Sequence, residues 1–82
     1  MGEAASSGEE ILVDARGHRC PVPTLRLGRA LEAAAAGQKV RLLADDPMAR
    51  IDVPHFLTQT GHRLLESGAT GGELSFLVAK AP

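Results

Sequence analysis

Two closely spaced prolines, Pro21 and Pro23, fix the place where a helix begins in this chain. Proline fits the first turn of a helix because the N–H group that it lacks would have no partner there. The residues that follow place small and aliphatic side chains at the spacing of one buried helical face, namely Leu27, Ala30, Leu31, Ala34 and Ala35. The pattern predicts a helix over residues 21–36, with Cys20 as its N-cap and Gly37 as its end.

Strand patterns lie on both sides of this helix. Residues 11–14 form a short apolar run, and residues 38–44 and 73–80 alternate apolar and polar side chains as half-buried strands do. Residues 63–67 form a less regular candidate. Thr70, Gly71 and Gly72 separate the last two strands and predict a hairpin turn.

A second helix follows Asp45, Asp46 and Pro47, which resemble an N-cap and a first helical residue. Pro54 interrupts the helical pattern. We therefore expect a turn over residues 47–52 and a helix over residues 53–60 that ends at Gly61. The expected core contacts of this segment are Ile51, Phe56 and Leu57.

The order of these elements is βαβαββ. It predicts an α/β (α+β) two-layer sandwich, in which a four-stranded mixed sheet carries two helices on one face. We expect residues 1–10 to form a disordered N-terminal tail and residues 11–82 to form a single domain. Because the chain has two Phe, no Trp and no Tyr, aliphatic packing must supply most of its small core.

Composition argues against several classes of function. A net charge of −1 and the scarcity of aromatic residues disfavour nucleic-acid binding. One cysteine allows neither an internal disulfide nor a cysteine-rich metal site, so we expect no cofactor and no metal. Without a signal-peptide pattern or a run of roughly 20 apolar residues, we expect a cytoplasmic protein that does not contact membranes.

Cys20 is the residue with the clearest chemical potential. A helix N-terminus and nearby cations stabilise a thiolate, and they predict a lowered pKa for this thiol. The neighbouring basic residues are Arg16, His18, Arg19, Arg26 and Arg29. With prolines on both sides, the Val22 N–H is expected to face the sulfur. The alternative is an inert cysteine that packs as a small apolar side chain.

Four short motifs together resemble the TusA/SirA family of small sulfur carriers. They are Asp14-Ala15-Arg16-Gly17, Arg19-Cys20-Pro21-Val22-Pro23, Asp45-Asp46-Pro47 and Asp52-Val53-Pro54-His55-Phe56, and the resemblance spans residues 11–80. Several relatives carry Glu where this chain has Val22. The position of His18 is often aliphatic in the family.

The resemblance implies that Cys20 accepts a sulfane sulfur as a persulfide and passes it to an acceptor protein. The expected supporting residues are Pro21, Pro23, Arg19, Arg16 and His18. The implied partners are a cysteine desulfurase or another sulfur donor and a downstream acceptor that bears a thiol. The family is usually described as sulfurtransferases that serve tRNA thiolation, sulfur oxidation or cofactor synthesis. We expect a monomer.

Other polar residues carry two interpretations each. Arg26 and Arg29 are candidate partner-docking residues or an ordinary solvated helix face. Asp45 and Asp46 are candidate docking residues too, although capping of the second helix would also account for their position. His18 could assist Cys20 or be an ordinary loop histidine. A non-catalytic regulatory or scaffold module remains the alternative function. Direct nucleic-acid binding is a weaker third, because a small βαβαββ layer with basic residues can bind RNA.

Overall fold

Strands and helices alternate in the predicted order βαβαββ. The computed structural model describes residues 10–82, so the predicted disordered tail lies outside the described residues apart from Glu10. The elements are β1 (Glu10–Asp14), α1 (Val22–Ala33), β2 (Lys39–Ala44), α2 (Ala49–Thr60), β3 (Arg63–Thr70) and β4 (Glu73–Ala79). Neither helix in this part of the chain has the length and apolar character needed to cross a membrane.

The sheet is mixed, as predicted, with the strand order β1-β2-β4-β3. β1 pairs with β2 in parallel because α1 carries the chain back to the starting edge. β4 lies antiparallel between β2 and β3. The β3–β4 hairpin turns at Gly71 and Gly72, whose φ values of 58° and 87° are easily adopted by glycine.

Both helices pack on one face of the sheet. Alternation along each strand separates the two faces: Val13 is 7% exposed, whereas its neighbour Leu12 is 60% exposed. The buried cluster joins strand residues to residues of both helices, and its larger members are Val13, Leu27, Leu31, Val40, Leu42, Val53, Leu57, Leu74, Phe76 and Val78. The predicted aliphatic core is therefore confirmed.

Helix α1 is shorter than predicted. Ala34 adopts an extended conformation and ends the helix, so Ala35 is exposed rather than part of the buried face. The Lys80 ammonium group donates to the Leu31 carbonyl oxygen, and the Gln38 side chain accepts a hydrogen bond from the Ala35 N–H. These contacts satisfy polar groups at the end of α1, which comes before Gly37, the residue predicted to end the helix.

Helix α2 begins earlier than predicted and includes Pro54. The expectation of a turn over residues 47–52 was therefore wrong, since regular helix starts at Ala49. This start places Ala49, Val53 and Leu57 on the buried face at intervals of four residues. Ile51, which was expected in the core, is 65% exposed as a result.

Candidate functional site

The site lies where the parallel strands β1 and β2 end. Carboxyl ends of parallel strands meet at one edge of a sheet, and ligand-binding loops often occupy that edge. The Ala15 N–H donates to the Leu43 carbonyl oxygen at 2.8 Å and extends the pairing beyond β1. The loop that leaves β1 therefore carries Cys20 to the residues that follow β2.

Two consecutive carboxylates hold this loop in place. Both carboxylate oxygens of Asp45 accept from the Gly17 N–H at 3.0 Å. Asp46 Oδ2 accepts from the Cys20 N–H at 2.8 Å, and its Oδ1 accepts from the Met48 N–H at 3.0 Å. These backbone donors lower the pKa of Asp46. Asp46 thus connects the Cys20 loop to the turn that precedes α2.

The start of α1 differs in detail from the prediction. Pro21, not Cys20, is the N-cap, and no side chain caps the helix. The Val22 N–H donates to the Arg19 carbonyl oxygen at 2.9 Å, so the expectation that it faces the sulfur was wrong. The Cys20–Pro21 peptide bond is cis. Pro23 lies on the buried face of α1, whereas Pro21 is exposed at the surface.

The Cys20 thiol is half-buried, and it lies against the edge of the core. Desolvation by burial raises its pKa to about 11, and the carboxylates of Asp52 and Asp46 contribute in the same direction. The nearby Thr24 hydroxyl, a potential donor to the thiolate, acts in the opposite direction. The predicted lowering of the thiol pKa was therefore wrong, because burial desolvates the thiol and because the charged groups that act on it are carboxylates.

The basic neighbours of Cys20 in sequence have other positions in the structure. Arg16 forms ion pairs with Asp14 at 2.7 Å and with Glu73 at 3.2 Å, and it holds the Asp14 pKa at about 2. It therefore braces the ends of β1 and β4, which corrects its expected role as a cation for the thiol. His18 and Arg19 are exposed and line the pocket around Cys20.

The two arginines of α1 lie outside this pocket. Arg26 donates to the Asp14 carbonyl oxygen at 2.8 Å and so ties α1 to the end of β1. Arg26 and Arg29 line a separate groove between the two helices. At this groove Phe56 comes so close to Gly28 that a Cβ atom there would lie 3.1 Å from the ring.

An open pocket of about 760 Å³ surrounds the thiol. Its lining comes from the Cys20 loop, from the turn after β2 and from the first turn of α2: Gly17, His18, Arg19, Cys20, Pro21, Asp45, Asp46, Pro47, Met48 and Asp52. Within residues 10–82, no group of three or more His, Cys, Asp or Glu side chains has an arrangement that could hold a metal ion. The chemistry available is that of one accessible sulfur beside carboxylates.

Sequence reasoning missed two neighbours of Cys20, namely Asp52 and Thr24. Asp52 belongs to one of the four motifs, but its proximity to the thiol depends on how α2 packs, and the early start of α2 was not foreseen. Thr24 lies four residues after Cys20 in the first turn of α1. Residues at this spacing meet on one helix face, so its position was a usable signal.

Comparison with known proteins places these features in a family. The family model described as Sulfurtransferase TusA matches residues 11–80. The Sulfur carrier protein TusA of Allochromatium vinosum is 41% identical over 84% of this chain and 91% of its own length. The protein of the same name from Pseudomonas putida is 32% identical over 87% of this chain and 89% of its own length.

Solved structures agree with the fold. A SirA-like protein from Desulfitobacterium hafniense superposes with a TM-score of 0.75 at 27% identity, and the match covers 88% of this chain and 99% of that protein. The shared βαβαββ order and the match over residues 11–80 confirm the resemblance inferred from the four motifs. The chain belongs to the TusA sulfurtransferase family.

Proposed function

We propose that this protein is a sulfur carrier in which Cys20 holds a sulfane sulfur as a persulfide. Its relatives are named sulfur carrier proteins, and the one cysteine of the chain lines an open pocket of about 760 Å³. The observation that carries the proposal is the placement of Cys20 on a loop anchored by Asp45 and Asp46 at the pocket. A rigid, accessible thiol suits a group that must meet two different partners.

Loading and delivery are both exchanges between a thiol and a persulfide. In loading, the Cys20 thiolate attacks the outer sulfur of a donor persulfide, the donor S–S bond breaks, and the donor thiolate leaves. In delivery, a thiolate of the acceptor attacks the outer sulfur on Cys20, and Cys20 leaves as a thiolate that takes up a proton. No net oxidation occurs in either step, so neither requires an oxidant or a reductant.

The carboxylates suggest how reactivity is limited to docked complexes. A raised thiol pKa keeps Cys20 protonated at neutral pH, and a protonated thiol is a poor nucleophile. Asp46 and Asp52 lie at the pocket surface, where a cation of a partner could neutralise them. The unloaded carrier would then resist unproductive exchange with other thiols until a donor docks.

The partners are expected to be a sulfur donor, such as a cysteine desulfurase, and an acceptor with its own thiol. Both would contact exposed apolar side chains near the start of α2, because Met48, which lines the pocket, is 49% exposed and Ile51 is 65% exposed. Small apolar contacts next to a reactive group favour brief, specific docking. We expect the carrier to be a cytoplasmic monomer.

A transfer assay tests the proposal. The carrier is incubated with a cysteine desulfurase and cysteine that carries radiolabelled sulfur, and the label is then followed on a non-reducing gel. We expect label on the wild-type chain that a small thiol removes, and none on Cys20→Ala. A Cys20→Ala chain that accepts as much removable label as wild type would contradict the role of Cys20.

A genetic test separates carriage from a scaffold role. Cys20→Ser keeps the size of the side chain and removes the sulfur chemistry. We expect this variant to fail to complement a deletion strain, while an exposed substitution such as Glu32→Gln complements fully. Complementation by Cys20→Ser at the level of wild type would favour a scaffold and refute sulfur carriage.

A further inference from the structure

One buried hydroxyl near Cys20 has no evident structural purpose. Thr24 Oγ1 is inaccessible to solvent, and it forms no regular hydrogen bond within the described part of the chain. Burying a hydroxyl without a partner costs free energy, so such groups are rare unless they serve a function. Thr24 is the third residue of α1, on the turn that begins beside Cys20.

The rest of this helix start offers few donors to the sulfur. Pro21 and Pro23 have no N–H groups, and the Val22 N–H is already bonded to the Arg19 carbonyl oxygen. The Cys20 N–H points to Asp46. The Thr24 hydroxyl is a free donor in this turn, and it lies near enough to the thiol to act on it.

The groups on the other sides of the sulfur are mainly acidic. Asp52 faces it from α2, and Asp46 faces it from the turn after β2. Asp45, Arg19 and His18 complete the polar lining of the same pocket. A negative sulfur thus meets carboxylates on the pocket side and a hydroxyl donor on the α1 side.

We propose that the Thr24 hydroxyl is a positioning residue that donates a hydrogen bond to the Cys20 sulfur whenever that sulfur is negatively charged. This inference rests on the proposed function, in which Cys20 is the attacking thiolate during loading and the leaving thiolate during delivery. A donor that is unpaired beside the neutral thiol and paired beside the thiolate stabilises the charged state selectively. The same hydroxyl therefore accelerates both halves of the exchange.

The test compares three variants of the full chain. Thr24→Val keeps the shape of the side chain and removes the hydroxyl, whereas Thr24→Ser keeps the hydroxyl. Thr58→Val is the matched control, because Thr58 is exposed on α2 and its hydroxyl bonds to the Pro54 carbonyl oxygen. The readout is the rate of alkylation of Cys20 by iodoacetamide across pH, which is unambiguous because the chain has one cysteine.

We expect Thr24→Val to move the alkylation profile to higher pH and to slow alkylation about threefold at pH 8, because Thr24 is the smallest of the influences on the Cys20 pKa. Thr24→Ser and Thr58→Val should follow wild type. A Thr24→Val profile that coincides with wild type would overturn the inference, as would a Thr24→Ser profile that coincides with Thr24→Val. Thr24→Ala provides the same comparison if the valine variant does not fold.

A second readout follows the leaving sulfur. Cyanide removes the outer sulfur of a persulfide as thiocyanate, and Cys20 then leaves as a thiolate. We expect thiocyanate release from persulfidated Thr24→Val to be about threefold slower than from wild type. An unchanged release rate would refute the role in delivery. Because alkylation uses the unloaded chain, it tests Thr24 even if Cys20 accepts no sulfur from any donor.

Discussion

Replacing Asp52 by Asn should make the Cys20 thiol more reactive. The surroundings raise the pKa of the thiol from 9.0 to about 11, a difference of 11 − 9 = 2 units. Each unit is a factor of ten in the thiolate fraction, so the surroundings suppress the thiolate about a hundredfold at any pH well below the pKa. Desolvation is the largest cause, and Asp52 is the next, through hydrogen bonding and charge.

Removing the charge of Asp52 should therefore recover about tenfold of this suppression and leave the part due to burial. The assay is the rate of iodoacetamide alkylation between pH 7 and pH 11, with circular dichroism to show that the variant is folded. Glu32→Gln makes the same change of charge on an exposed face of α1, and it should leave the rate unchanged. Slower alkylation of Asp52→Asn, or equal acceleration by Glu32→Gln, would refute the reasoning.

Three other changes test the fold and the site. Leu27→Ala should destabilise the protein by about 2–5 kcal/mol in urea denaturation because Leu27 is fully buried. Leu25 is 60% exposed on the same helix, so Leu25→Ala should change the free energy of unfolding by about 0.5 kcal/mol or less. Equal effects of the two substitutions would contradict the orientation of α1. Asp45→Ala should speed hydrogen exchange of the Gly17 amide, because this N–H donates a hydrogen bond to the Asp45 carboxylate at 3.0 Å. Unchanged exchange would show that the Asp45 hydrogen bond does not hold the loop in solution. The free energy of unfolding of wild type minus that of Cys20→Ser should be constant below pH 9 and should fall as pH rises through about 11. A raised pKa of the folded-state thiol favours folding only while the thiol is protonated. A difference that grows with pH would mean that folding lowers this pKa.

Features controlled by neighbouring residues could be predicted from the sequence. Pro21 and Pro23 locate the start of α1 because their preference is local, and Gly71 and Gly72 locate the hairpin for the same reason. The two-layer architecture follows from the order of the elements along the chain and from the need to bury one face of the sheet. The single cysteine identifies the centre of the site without any knowledge of the fold.

Features controlled by packing could not be predicted in the same way. Arg16 is four residues from Cys20 in sequence, yet its guanidinium pairs with Asp14 and Glu73. Asp46 and Asp52, which are 26 and more residues away in the chain, supply the charges that act on the thiol. The sign of the electrostatic effect therefore depended on tertiary contacts that charge counting along the sequence does not contain.

The central claim is that Cys20 itself carries the transferred sulfur, and intact-protein mass spectrometry tests it most directly. The unlabelled carrier is incubated with a cysteine desulfurase and cysteine, and its mass is measured before and after reduction, with fragmentation to locate any added atom. We expect one added sulfur, located on Cys20 and lost on reduction, and no addition to Cys20→Ala. No added sulfur on the wild-type chain with any of several donors, or an equal addition to Cys20→Ala, would contradict the claim.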